Sequence, residues 1–415
     1  MVVTVFLLAV VVGQVAGAQA AGEPAGTITL SADFDSGSLG GWKPLGPDTL
    51  QIDLTEASVG VWFHFRIDGV RGRTITFVVS VPPSRKLGSL SAHYYDEVNR
   101  PAYSYDRKQW HLAEPGRVDK EARTFTFQVP FQEDTAWVAY SIPYTNETLE
   151  GLLAEFADSP YLRVRRLATT AEGRPVHWLV ISEEPDREEQ GTREVVWIVA
   201  RENGWWAPTS WAADGLVRFA LGDGESSKLF RQRVIANVIP ILSPDAVAGG
   251  WMSHPVGEGR QTYLPAAYDQ DFPEVRALTA AIRQWMNRGH TIDFVFRLHS
   301  FGWMYNVHEF REELYIPQEI VKFDGLMDRL HRTVPQSRWV RKHVFPRTGL
   351  VEYCYHNFQV KGGTIVLASA AKGNTMTASD FQEVGAALAQ VLLSLYAPQF
   401  MVPGWQPEPP PTAAP

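Results

Sequence analysis

The feature that most restricts how this chain folds is a change of hydrophobic period near residue 145. Before it, apolar residues alternate with polar ones. Val61-Trp62-Phe63-His64-Phe65-Arg66-Ile67, Thr74 to Val79 and Thr124 to Val129 each read as strands, with turn punctuation such as Gly72 and no helical spacing between them. Short strands in this arrangement predict an antiparallel β-sandwich. From Thr148 onward Leu149, Leu152, Leu153 and Phe156 recur at helical spacing. Strand-like runs then follow at Val195–Val199, Val234–Ile241, Ile292–Leu298 and Thr364–Leu367. Between them lie helix candidates at Trp211–Leu221, Glu274–Arg288 and Ile320–Arg332. This alternation predicts an α/β domain with a mixed, mostly parallel sheet flanked by helices. A last helix is expected from Ser379, as N-cap, to Tyr396. The resulting division is a leader over 1–20, a sandwich over 27–145, an α/β domain over 148–398 and a Pro-rich tail over 404–415, with no internal repeat.

Length agrees with two domains, since 415 residues exceed one small core. The net charge of −8 argues against a nucleic-acid surface, which needs concentrated Lys and Arg. The short basic stretch Arg163, Arg165, Arg166 reads as a solvated face. Val2 to Val12 is an apolar run too short to span a bilayer, followed by the small residues of Ala18-Gln19-Ala20, although no Lys or Arg precedes it. The pattern leads to the expectation of a cleaved signal peptide, a secreted or periplasmic protein, and no transmembrane segment afterwards. A single cysteine, Cys354, allows no intrachain disulfide and is expected in the core. Asn146-Glu147-Thr148 matches the glycosylation sequon.

Several stretches, in order, resemble the zinc carboxypeptidases, specifically the cytosolic-carboxypeptidase-like branch with an N-terminal β-sandwich. They are Ser31-Ala32-Asp33-Phe34-Asp35-Ser36-Gly37, Trp62-Phe63-His64-Phe65-Arg66, Ala139-Tyr140-Ser141-Ile142-Pro143-Tyr144-Thr145, Ser243-Pro244-Asp245-Ala246-Val247 with Gly250, and Leu298-His299-Ser300. The resemblance runs from about Thr27 to Pro398. It implies a carboxypeptidase-like α/β domain over 148–398.

Such an enzyme needs three zinc ligands and an open position for water, a carboxylate base, and cations that grip the substrate's terminal carboxylate. By resemblance the first two ligands, a His-x-x-Glu pair, fall on Asn203 and Trp206, after Ala200-Arg201, and Trp211 matches the family's following Trp. The third falls on His299. The family's Asp two residues earlier falls on Arg297, and the general-base Glu falls on Leu367. The substrate clamps fall on Ser253 and on Pro265-Ala266. His299 is thus the one metal position left, and the bland reading of it is a polar residue kept in a former pocket. A displaced site drawn from Glu202, His254, His299, His308 and Glu309 lacks the i, i+4 spacing of a compact helical motif.

Glu202, Trp205, Trp251, Arg297, Trp303 and Tyr305 lie near predicted strand ends, where open α/β sheets bind ligands. The aromatic residues among them either line a binding cleft or plug the old pocket. The preferred expectation is an exported, non-catalytic carboxypeptidase-like protein with no cofactor, which binds a peptide, glycan or protein partner at the former active-site face. The alternative is an active zinc metallocarboxypeptidase with a rearranged metal site. An enzyme of another class has no supporting motif, since neither a nucleophile elbow nor a phosphate loop is present.

Overall fold

The computed structural model describes residues 27–55, 61–80, 99–187, 190–251, 254–256, 260–262, 272–301, 306–309, 325, 328, 330, 332, 339–342, 349–360, 362–368, 370–371 and 374–396. The leader, the tail and most of the helix expected at Ile320–Arg332 lie outside these residues.

The N-terminal part folds into two five-stranded sheets. One runs in the order Thr29–Ser31, His64–Asp68, Thr135–Ala139, Ala102–Ser104, Trp110–Leu112. The other runs Gly41–Gly46, Thr49–Asp53, Thr74–Ser80, Thr124–Pro130, Arg117–Asp119. Pairing is antiparallel except between Thr49–Asp53 and Thr74–Ser80, which run parallel. Alternation along each strand turns one face inward. Phe65, Ile67 and Val138 of the first sheet therefore meet Ile75, Phe77, Phe125 and Phe127 of the second in one apolar cluster. The Phe65 and Phe77 rings lie 5.6 Å apart and those of Phe77 and Phe127 stack at 5.0 Å.

The chain leaves the sandwich along Tyr140–Tyr144 and enters the helix Asn146–Glu155. Thr145 caps that helix and exchanges hydrogen bonds with Thr148 in a capping box. The side-chain amide of Asn146, the sequon residue, is taken up by Asp35 and the Pro244 carbonyl.

An eight-stranded mixed sheet follows, in the order Leu162–Thr169, Pro175–Ile181, Val234–Ile239, Glu194–Val199, Phe294–Phe301, Gly362–Ala368, Asn306–Glu309, Trp339–Lys342. Its centre, from Val234–Ile239 to Gly362–Ala368, is parallel. These strands are buried on both faces, so they read as continuous apolar runs. Helices Ala207–Leu221 and Ala378–Tyr396 supply the apolar cluster on one face and Pro273–Asn287 and Leu350–Phe358 that on the other. Cys354 is buried in the second, and burial pushes its thiol pKa up. The last helix is capped two residues earlier than expected. The Thr377 hydroxyl, not that of Ser379, accepts from the Asp380 amide, and the Asp380 carboxylate accepts from Thr377 in return.

The two helices of the first face touch through glycines. A Cβ on Gly385 would sit 1.7 Å from the Ala212 carbonyl oxygen, and one on Gly215 would sit 2.0 Å from that of Gln382. Neither backbone can yield without separating the helices. Gly385→Ala is therefore expected to lower stability by roughly 1–3 kcal/mol through overpacking, read as a lower urea midpoint, whereas Gly151→Ala, whose added methyl meets nothing within 4 Å, is not.

Candidate functional site

The carboxyl ends of the parallel strands Glu194–Val199 and Phe294–Phe301 bring the site together. Their register sets Val199 beside Arg297, so Glu202, three residues on, comes over Arg297. The chain turns sharply between them. Arg201 adopts a left-handed φ of 56°, and its guanidinium donates twice to the Gly204 carbonyl, at 2.9 and 2.6 Å. Gly204 itself must be glycine, since a Cβ there would lie 2.2 Å from the Trp251 carbonyl oxygen. Burial lowers the Arg201 pKa to about 9.

Arg297 donates through Nε to Glu202 Oε2 at 2.6 Å, and both side chains are almost wholly buried. The Trp206 ring packs on His299, with ring centroids 3.8 Å apart and planes inclined by 44°. The Arg297 guanidinium lies 5.7 Å from the Trp206 ring centroid. Trp205 and Trp206 are buried and belong to the same apolar cluster as the sandwich core. These two therefore fill the space between the halves of the molecule instead of lining an open cleft. Trp251 stays half-buried, with its indole packed over Gly249.

Asn203 is buried, and neither polar atom of its carboxamide has a hydrogen-bond partner among the described residues. Leu367 pairs in register with Ser300, one residue beyond His299. It points with Leu298 and Ile365 into the apolar cluster under Ala378–Tyr396, on the face opposite His299. Asp245, in the short helix Pro244–Ala248, accepts from the Thr170 hydroxyl, the Glu172 amide and Arg174, and so ties that helix to the sheet edge. Sequence reasoning missed the Glu202–Arg297 pair, although Arg where a carboxylate is expected was its visible signal.

Ser253, Pro265, Ala266, Trp303 and Tyr305 lie outside the described residues. His254, His308 and Glu309 fall in short strands whose backbone alone is described.

The residues do not fit a zinc ion of the kind the fold family uses. Asn203 offers an unsatisfied carboxamide oxygen, which a cation would accept. The carboxylate of Glu202, however, is spent on Arg297, Trp206 provides no donor lone pair, and its ring covers His299. Among the described residues no three His, Cys, Asp or Glu side chains cluster at metal-binding distance.

Burial and then Arg297 hold the His299 pKa well below its ordinary value of 6.5. Burial likewise takes His64, in the sandwich, from 6.5 down to about 3. Both imidazoles are neutral in the folded protein at neutral pH. Below pH 6.5 the unfolded chain binds protons that the folded chain refuses. The stability they contribute is thus present above pH 6.5 and lost as pH falls below it, for His64 down to about 3, by about 1.4 kcal/mol per pH unit for each histidine at most. The urea midpoint is expected to fall from neutral towards acid pH, and to fall less steeply in His64→Phe.

Residues 30–141 match the family described as the cytosolic carboxypeptidase N-terminal domain. A cytosolic carboxypeptidase 3 of Bos taurus is 28% identical over 174 residues, which cover 41% of this chain and 17% of that protein. A cytosolic carboxypeptidase 2 of Danio rerio is 31% identical over 132 residues, 31% of this chain and 18% of that protein. The chain thus spans under a fifth of the length of these curated relatives. Among solved structures, a metallo-carboxypeptidase from Burkholderia cenocepacia superposes with a TM-score of 0.76 at 20% identity, covering 90% of this chain and all of the other. One from Pseudomonas aeruginosa, in complex with (2-guanidinoethylmercapto)succinic acid, does so at 0.72 and 18%, over 89% of this chain and 99% of the other. At these identities the structures establish a shared fold.

The expectation of a secreted or periplasmic protein is corrected by these relatives. They are cytosolic carboxypeptidases by name, and the matching domain carries the same name, which is at odds with export. The apolar N-terminal run had lacked a basic residue ahead of it, the electrostatic half of an export signal. That run lies outside the described residues, and no described helix is long and apolar enough to cross a membrane.

Proposed function

This chain belongs to the zinc carboxypeptidase family, and we propose that within it the chain is a non-catalytic, carboxypeptidase-like binding protein whose metal centre has given way to a buried plug. The observation that carries the reading is the Trp206 ring set 3.8 Å from the His299 ring, beside the buried Glu202–Arg297 pair. A zinc peptidase acidifies a bound water and polarises the scissile carbonyl, which needs three donors and an accessible fourth position. Here two ligand positions carry a carboxamide and an indole. The third is capped by that indole, and a guanidinium stands two residues from it. The general-base position is an apolar side chain turned into the core. With the interior filled, a peptide, glycan or protein ligand of this face meets the rim, where Trp251 remains half-buried.

The test is elemental analysis of purified protein after exposure to zinc and gentle dialysis. The expected content is far below one zinc per chain and unchanged in His299→Ala. A content near one per chain that His299→Ala abolishes, together with release of C-terminal residues from short peptides, would overturn the proposal.

A further inference from the structure

We propose that the seam between the sandwich and the helical half of the molecule holds a second ligand site, built for a small neutral saccharide. A cavity of about 380 Å³ opens there, lined from the sandwich, from the linker and from the helices Asn146–Glu155 and Ala207–Leu221. That volume lies within the range of small-molecule sites.

Two tryptophans form part of its wall. Trp110 comes from the sandwich and Trp211 from the helical half, and both are half-buried. Each indole N–H is already spent on a backbone carbonyl. That of Trp110 donates to Arg107 and that of Trp211 to Ile142. The tryptophans therefore offer the cavity apolar ring surface and no donor. The C–H face of a sugar ring packs on such a surface and buries it from water.

Charge speaks against an ionic ligand. The lining carries the four carboxylates of Asp35, Asp106, Glu147 and Asp214 against the three cations of Arg107, Lys108 and Arg218. The two signs are interleaved. Arg218 meets Asp214 at 2.7 Å, and Arg107 meets Glu147 at 3.3 Å. An anion entering here faces carboxylates and a cation faces guanidiniums, so a net charge on the ligand gains little.

What these pairings leave over suits hydroxyl groups. Asp106 takes the Ser104 hydroxyl and the Lys108 and Gln109 amides on Oδ1, and its Oδ2 has no hydrogen-bond partner among the described residues. Arg218 donates through Nε to Asp214 and through Nη1 to Glu155, and its Nη2 has no partner among them either. The lining thus presents an open acceptor and an open donor together with apolar ring surface. A carboxylate only accepts and an ammonium only donates, whereas a hydroxyl does both. A neutral, hydroxyl-rich ring is the ligand that uses all three features.

The experiment uses the whole chain and saturation-transfer NMR on neutral probes, the methyl glycosides of glucose, galactose and mannose. Saturable binding of at least one is expected. Gly151→Phe tests the place. Gly151 borders the cavity, is exposed, and a Cβ there meets nothing within 4 Å, so the variant keeps the fold and sets a ring at the cavity wall. Binding is expected to weaken about tenfold or more, a loss of about 1.4 kcal/mol, in Gly151→Phe and in Trp110→Ala. The Gly151→Phe result stands alone if Trp110→Ala does not fold. The anionic glucuronate and the cationic glucosamine are expected to bind more weakly than the neutral sugar. No saturable binding by any neutral probe, unchanged binding in either folded variant, or tighter binding of a charged sugar would each overturn the proposal. Binding lost in Trp251→Ala and kept in Gly151→Phe would overturn it as well, and would put the sugar on the former active-site face. Zinc content does not enter this measurement, so the outcome is separate from that of the metal test.

Discussion

Arg297→Met is expected to cost this protein about 3–5 kcal/mol of folding stability, because it strands a carboxylate in the interior. Arg297 and Glu202 expose 3% and 0% of their side chains and meet at 2.6 Å. Taking two charges out of water is expensive, and their attraction and hydrogen bond recover that cost only while both are present. Removing the guanidinium leaves Glu202 charged in a low-dielectric setting or forces it to take up a proton. The double variant Arg297→Met/Glu202→Leu removes both charges and is expected to recover most of the loss. Urea unfolding followed by tryptophan fluorescence measures both. A single-variant loss under about 1 kcal/mol, or a double variant no better than the single, would show that the pair is not what holds the two strand ends together.

Trp206→Ala is the second large effect, at about 3–5 kcal/mol for a wholly buried tryptophan. Trp206 has no exposed surface, joins the sandwich cluster and packs on His299, so its loss opens a cavity between the two halves of the molecule. Water entering that cavity would relieve the burial that depresses His299. The His299 pKa, followed by its ring proton shifts, is expected to climb back towards 6.5 in this variant. Trp251→Ala serves as control. Its ring is half-buried, and a loss within about 1 kcal/mol is expected. Equal losses at both positions would mean that the plug is no better packed than the rim.

Much of the architecture was legible from hydrophobic period, because period reports which face of a segment is buried and is a local property of the chain. The runs at Val195, Val234 and Thr364 are strands within two residues of where alternation and apolar content put them, the helix ending at Tyr396 agrees as closely, and the helix ending at Leu221 begins four residues before its expected start. The order of motifs likewise exposed Asn203, Trp206 and Leu367 where ligands and base are expected. Legibility failed where a choice rests on one contact. Ser379 and Thr377 are both good caps, and only the reciprocal bonds with Asp380 select Thr377. The aromatic residues after Ala200 suited a cleft or a plug equally by composition, and packing against the sandwich decided it for Trp205 and Trp206.

Residue order alone was enough for the layers of this protein and for most of its strands and helices, since each depends on neighbours a few positions away. Tertiary structure decided which side chains meet at the strand ends. Glu202 and Arg297 stand 95 residues apart and meet only because parallel strands joined by a crossover align their carboxyl ends. Such pairings are set by strand register and by the seating of one core on another, and no local period carries that information.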